Sequence, residues 1–366
     1  MEKIFKKSQK LLLVLLVGLF IFTGCSGNGV LGDLDDSNDV YDPFDGEEKI
    51  ESNVEFDFLQ DIRVFTLFSF MNYTGYDREN YDFHELRIET REALDEMDID
   101  IINDSYFIDK DVQDYYYLHL LARLSGPEND FEPLDNLPTY GTLEKIHDLP
   151  EHLNDFYNAV GEDKISTLFE KHQEYANMSS IKRDFENRIK YLNYYLDENP
   201  EMSYKIMMNY MDSHQTGSGA RYHNYLDEKL AVVGPFIDRW EGLANLSHEY
   251  LHSIITPMSN DLSDLIYEYE YLHDEVEEGT QAYGYPNWLS VVDESIIRAV
   301  DYREIPTFDD EDMKRTLNRQ NFILGEYFID RFTNDWEDFD GDLRSFYEMI
   351  LIELEDYLED YGLPVE

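Results

Sequence analysis

The stretch Asn245-Leu246-Ser247-His248-Glu249-Tyr250-Leu251-His252-Ser253 constrains this chain more than any other. Its two histidines stand four residues apart, a spacing that puts both rings on one face only if the backbone is α-helical. Trp240, Leu243, Leu246, Tyr250, Leu251, Ile254 and Ile255 surround them and make the helix broadly apolar, which predicts a mostly buried element. Imidazole and carboxylate groups buried together need partners. A metal ion is the partner that fits, with His248 and His252 as ligands. Glu249, one step round the helix, is then placed as general base on a water at the ion. The competing reading is a pair of polar histidines on the exposed side of an amphipathic helix.

A hydrolytic zinc site needs three protein ligands and one open position. A third histidine six residues beyond His252 is excluded, because Met258 stands there. An aspartate in the Gly279-Thr280-Gln281-Ala282 run is excluded by the same inspection. Glu294 is the expected third ligand. It lies in Val292-Asp293-Glu294-Ser295-Ile296-Ile297-Arg298-Ala299, the most apolar helix after the motif, where an unpaired carboxylate would be costly. Asp293 is its nearest rival. Glu268, Glu270, His273, Glu275, Glu277 and Glu278 read as a solvated acidic face. Tyr283, Tyr285, His223 and Arg298 are candidates for stabilising a developing oxyanion, and the sequence does not choose among them. His84, His119, His147, His152, His172 and His214 lack ligand spacing with one another.

The remaining chain reads as mostly helical. Phe56, Leu59, Ile62, Phe65 and Phe68 recur at helix spacing through 54–71, with a strand as the open alternative. Further helices are expected near 83–97, 109–125, 150–159 and 163–196, the last with a break near 177–180. Met202–Met211 reads as a short helix. Leu230–Val233, bounded by Gly234-Pro235, is the best strand candidate, and it is expected to be the edge strand that pairs with substrate backbone. The motif helix should span about 239–256 and stop before Pro257. Helices follow at 262–273, 287–303, 311–334 and 341–361. The expected fold class is mainly α with a small β-sheet (α+β), in one domain over 54–366.

Charge and cysteine usage bound the partners. A formal charge of -51 argues against nucleic acid and against electrostatic docking on anionic lipid. The single cysteine, Cys25, follows four lysines and the apolar run at 11–22. Basic head, short apolar core and Thr23-Gly24 read as an export signal over 1–24. The Phe22-Thr23-Gly24-Cys25 ending is similar to a bacterial lipobox, which implies cleavage before Cys25 and lipidation of its thiol. The protein is therefore expected to be exported and anchored at the cell membrane or surface, with 25–53 as a flexible acidic tether.

Several blocks together resemble the bacterial domain of unknown function 4932. They are Val54-Glu55-Phe56-Asp57-Phe58-Leu59, Asp155-Phe156-Tyr157 and Phe169-Glu170-Lys171-His172, then His248 through Pro257 and Glu294 through Ala299. Thr256 stands where that family usually has asparagine. The resemblance implies a zincin-like core and a gluzincin-like zinc metallopeptidase acting on a peptide or protein substrate. The alternative from another class is a lipid-anchored binding protein whose metal site is structural or vestigial.

Overall fold

The computed structural model describes residues 52–76, 84–97, 99, 106–110, 112, 114–134, 136–137, 141–176, 179–212, 221–225, 228–235, 239–303, 305 and 309–361. The signal over 1–24, the lipidation site Cys25 and nearly all of the tether lie outside the described residues. The chain groups into two compact units. One comprises 54–183 with 201–237, and the other contains 184–200 with 238–366. The described structure is mostly helical with one small sheet, an α+β architecture.

The first unit carries the sheet. Val54–Leu59 is strand β1, and Ile62–Thr74 is helix α1. The three-residue apolar spacing therefore holds from Ile62 onward and not before it. Asp61 separates the two elements by capping α1, its side chain accepting from the Arg63 N–H at 2.8 Å. Helices α2 (Glu85–Asp95), α3 (Tyr106–Lys110), α4 (Asp114–Leu121), α5 (Gly141–Glu144), α6 (Leu149–Val160) and α7 (Glu162–Ala176) follow. Their apolar faces close one core in which Phe70 meets Phe107 and Phe156 at ring separations of 4.9 and 5.0 Å. Helix α8 (Ser179–Tyr195) then leads out of this unit.

Two corrections concern the sheet. Met202–Met208 is strand β2, not a helix. Tyr204 and Ile206 are fully buried while Ser203 is exposed, a period of two that the methionines mask. The sheet order is β1-β2-β4-β3, with β3 at Arg221–Tyr225 and β4 at Glu228–Val233. β2 runs parallel to both β1 and β4, and β3 pairs antiparallel with β4. The expected strand at Leu230–Val233 is thus present but interior; the edge beside it is β3.

The second unit is helical throughout its described part. It holds α9 (Arg239–Asp261), α10 (Ser263–Tyr267), α11 (Trp288–Val300), α12 (Asp310–Arg319), α13 (Gly325–Asn334), α14 (Leu343–Ile352) and α15 (Leu354–Tyr361). Helix α9 does not stop before Pro257. A proline inside a helix removes the bond its N–H would have made and crowds the carbonyl one turn back, at a cost of about 3 kcal/mol or more that tertiary packing must offset. The turn beyond it buries Ser259, whose hydroxyl reaches Asp293 Oδ1 on α11 at 2.6 Å. Asn287 caps α11 by accepting from the Ser290 N–H at 2.9 Å. Every residue of α11 from Val291 to Val300 is buried, so packing rather than intrinsic helix preference sustains this β-branched segment.

Candidate metal centre

Helices α9 and α11 pack side by side in the second unit. The i,i+4 spacing brings His248 and His252 to one face, with ring centroids 5.0 Å apart. Both rings turn Nε2 towards the Glu294 carboxylate: His248 Nε2 lies 3.2 Å from Oε1, and His252 Nε2 lies 3.7 Å from Oε2. One donor atom from each residue falls within 4.8 Å of the others, so this trio can hold a metal ion. The separations suit one. Ligand bonds of about 2.0–2.1 Å in a tetrahedral site leave donor atoms about 3.3 Å apart. The trio is the one such cluster among the described residues.

The opposite ring nitrogens are also held. His248 Nδ1 is 3.0 Å from Asp301 Oδ2, at the C-terminal end of α11. His252 Nδ1 is 3.1 Å from the Thr256 hydroxyl, which in turn donates to Asp293 Oδ2 at 2.8 Å. Asp293 is thus behind His252 rather than in front of it, and its second oxygen accepts from Ser259. Tyr347 reaches the same Ser259 hydroxyl at 3.0 Å. An oxygen partner on each Nδ1 presents each Nε2 to the shared side, which is how outer partners orient histidine ligands.

Glu294 is gripped from beyond as well. Arg298, one turn on, donates to Oε1 from Nε at 2.8 Å, and its terminal nitrogen pairs with the same oxygen at 2.6 Å. Arg298 also lies 5.0 Å over the Phe322 ring, and Tyr285 is near enough to feel the charges of both Glu294 and Arg298. The guanidinium and His248 share Oε1, which leaves Oε2 as the oxygen facing His252. Side-chain exposure is 13% for His248 and 20% for His252 against 4% for Glu294, so the cluster is closed at the carboxylate and opens past the rings.

The electrostatics favour positive charge here. Burial opposes the charged form of His248, but Glu294 and Asp301 outweigh it and lift the ring to about 10. Burial alone would raise the Glu294 carboxyl; His248 and Arg298 hold it well below the usual carboxylate range instead. A carboxylate that stays ionised among buried groups is a ligand ready for a cation. Glu249 is 5% exposed, and among the described residues its carboxylate has no hydrogen-bond or ion-pair partner. Left alone, such a group is costly; it asks for a water or a cation next to it.

All four residues expected from the motif and its downstream helix lie in this one unit, and three of them meet. Glu268, Glu270, Glu275, Glu277 and Glu278 are exposed, as a solvated face requires. Of the oxyanion candidates, Arg298 is engaged with Glu294, Tyr285 lies near both, and Tyr283 is half exposed. The His223 side chain lies outside the described part. Sequence reasoning missed Asp301, although it stands seven residues after Glu294, two turns along the same helical face. No family model, curated protein or solved structure matches this chain.

Proposed function

We propose that the protein is a zinc-dependent metallopeptidase, exported and lipid-anchored through Cys25, that hydrolyses peptide bonds. The observation that carries this reading is the convergence of His248 Nε2 and His252 Nε2 on the Glu294 carboxylate, with a buried glutamate, Glu249, that has no partner among the described residues, next in the chain to the first of them. Two imidazoles and one carboxylate form a donor set suited to zinc. A zinc ion bound there supplies Lewis acidity to the scissile carbonyl and acidifies its water.

The residues of the chain do the rest. Glu249 takes a proton from the attacking water and passes it to the leaving nitrogen. Asp301 and the Thr256–Asp293 pair keep both Nδ1 atoms engaged, so neither ring turns away. Arg298 holds Glu294 by one oxygen and keeps it from rotating. A site that only binds or only stabilises the fold has no need for a base beside the histidines, which favours catalysis over a structural or vestigial centre. The resemblance to the domain of unknown function 4932 carries the same expectation.

The test is metal content by elemental analysis together with hydrolysis of a casein or peptide library, for the wild-type protein and Glu249→Gln. We expect about one zinc per chain in both. The variant should lose about 10²–10⁴-fold in rate, the range for one general acid–base group. A variant that cleaves as fast as wild type removes the mechanism; a wild-type protein without metal removes the site.

A further inference from the structure

The most deeply placed cation near the centre is not one of its ligands. Arg188, on α8, is fully buried. Its Nε donates to the Ser247 hydroxyl at 3.1 Å, and one terminal nitrogen donates to the Asp301 carbonyl at 2.7 Å. The other terminal nitrogen donates to the Arg303 carbonyl. Ser247 immediately precedes His248. Asp301 is the residue whose carboxylate meets His248 Nδ1. One planar group therefore touches the backbone of the residue that orients the first ligand and the side chain of the residue next to that ligand.

Two features make this more than packing. The carbonyls of Asp301 and Arg303 lie just past the C-terminal end of α11, where a helix leaves acceptors unpaired and a cation is favoured. Arg188 supplies the donors at that end, and the fork geometry of a guanidinium fixes where they stand. The Ser247 hydroxyl is committed as well, since it donates to the Leu243 carbonyl at 2.5 Å while accepting from Arg188. A second brace lies one turn further along. The Tyr250 hydroxyl donates to Asn193 Oδ1 at 2.7 Å, so α8 grips the back of α9 at both Ser247 and Tyr250.

We propose that Arg188 is a positioning residue of the metal centre. By tying the end of α11 to α9 at Ser247, it sets the distance between Asp301 and His248, and thereby the orientation in which His248 offers Nε2. This rests on the metal-site reading above. Arg188 touches neither metal nor substrate in this role; it acts through Asp301.

The test uses the full chain and zinc alone, with affinity measured by competition against a chelator of known strength. The variants are Arg188→Met, Asp301→Asn and the double variant, and Ser247→Ala separately, each checked for native circular dichroism. Wild type should bind one zinc. Arg188→Met should weaken zinc binding about tenfold or more, the usual effect of losing an outer partner. The double variant should be no weaker than the weaker single variant, because both act on the same imidazole. Additive losses, or unchanged affinity in a folded Arg188→Met protein, overturn the proposal and leave the metal site standing. If Arg188→Met does not fold, Ser247→Ala decides: a several-fold loss supports the proposal, and wild-type affinity overturns it. A wild-type chain that binds no zinc overturns both this proposal and the reading beneath it.

Discussion

His172 and His248 are both buried on helices, and they are opposites. His172, in the sheet-bearing unit, is 3% exposed and ringed by Phe65, Phe169 and Tyr210. Its Nε2 accepts from the Tyr210 N–H at 2.9 Å, and among the described residues its Nδ1 has no hydrogen-bond partner. Burial, reinforced by His84, pushes this ring down to about 3. His248 has a carboxylate at each nitrogen and is lifted to about 10 against its burial. Burial therefore does not make a histidine a ligand. What faces its two nitrogens does: a backbone N–H fixes a neutral ring for packing, whereas two carboxylates build a place for positive charge.

The severest way to break this contrast is to remove the carboxylate on which both ligand histidines converge. Glu294→Ala should lower zinc affinity by well over a hundredfold, beyond the tenfold to hundredfold that outer-shell changes cost. It also leaves the Arg298 guanidinium buried without its counter-charge, so the metal-free variant should be less stable by about 3–5 kcal/mol. Chelator competition reads the first effect and urea unfolding the second. If stoichiometric zinc survives in the variant, a neighbour such as Asp293 is the ligand instead.

The same contrast predicts an acid weakness that belongs to His172. Its folded value is depressed, so the fold holds the ring neutral while the unfolded chain takes up a proton below about 6.5. That contribution to stability is fully present above pH 6.5 and is lost as pH falls towards 3. The slope is about 1.4 kcal/mol per pH unit, or roughly 3 kcal/mol by pH 4. His172→Gln keeps an acceptor for the Tyr210 N–H but has no proton to gain. The stability gap between wild type and variant in urea should therefore shrink by about that amount between pH 7 and pH 4. A constant gap would show that His172 is not held neutral.

The two histidine environments were not equally legible. His248, Glu249, His252 and Glu294 could be read because their logic is local: four-residue spacing on one helix, and an acid in an apolar stretch of another. Asp301 was legible in principle, since a seven-residue step repeats the face of Glu294, but its partner lies on a helix far away in the chain. Nothing local marks Arg188, whose three acceptors are separated from it by between 59 and 115 residues. The sheet failed for a related reason. Tyr204 and Ile206 against Ser203 and Lys205 is a short alternation beside three methionines, and methionine favours helices. Whether Leu230–Val233 is an edge or an interior strand depends on its pairing with β2 and β3, which spacing along one strand cannot encode.

The smaller effects test whether the two ligand histidines are held with equal strength. His248 meets Asp301 directly, so Asp301→Asn removes a charge and leaves an amide that can present the wrong group to Nδ1. Zinc affinity should fall about tenfold to hundredfold. His252 is held through a hydroxyl, and Asp293 Oδ2 already lies 3.6 Å from its Nδ1, near the Thr256 oxygen it bonds. Thr256→Val keeps the side-chain shape and deletes that oxygen. A modest shift of Asp293 then restores a partner to the ring, while Ser259 continues to hold the other carboxylate oxygen. The loss in affinity should stay below about tenfold, worth less than about 1.4 kcal/mol. Combining Thr256→Val with Asp293→Asn removes both the relay and its substitute and should bring the loss up to the level of Asp301→Asn. If Thr256→Val alone already costs as much as Asp301→Asn, the hydroxyl rather than the carboxylate behind it orients His252. The two ligands would then be positioned by different chemistry.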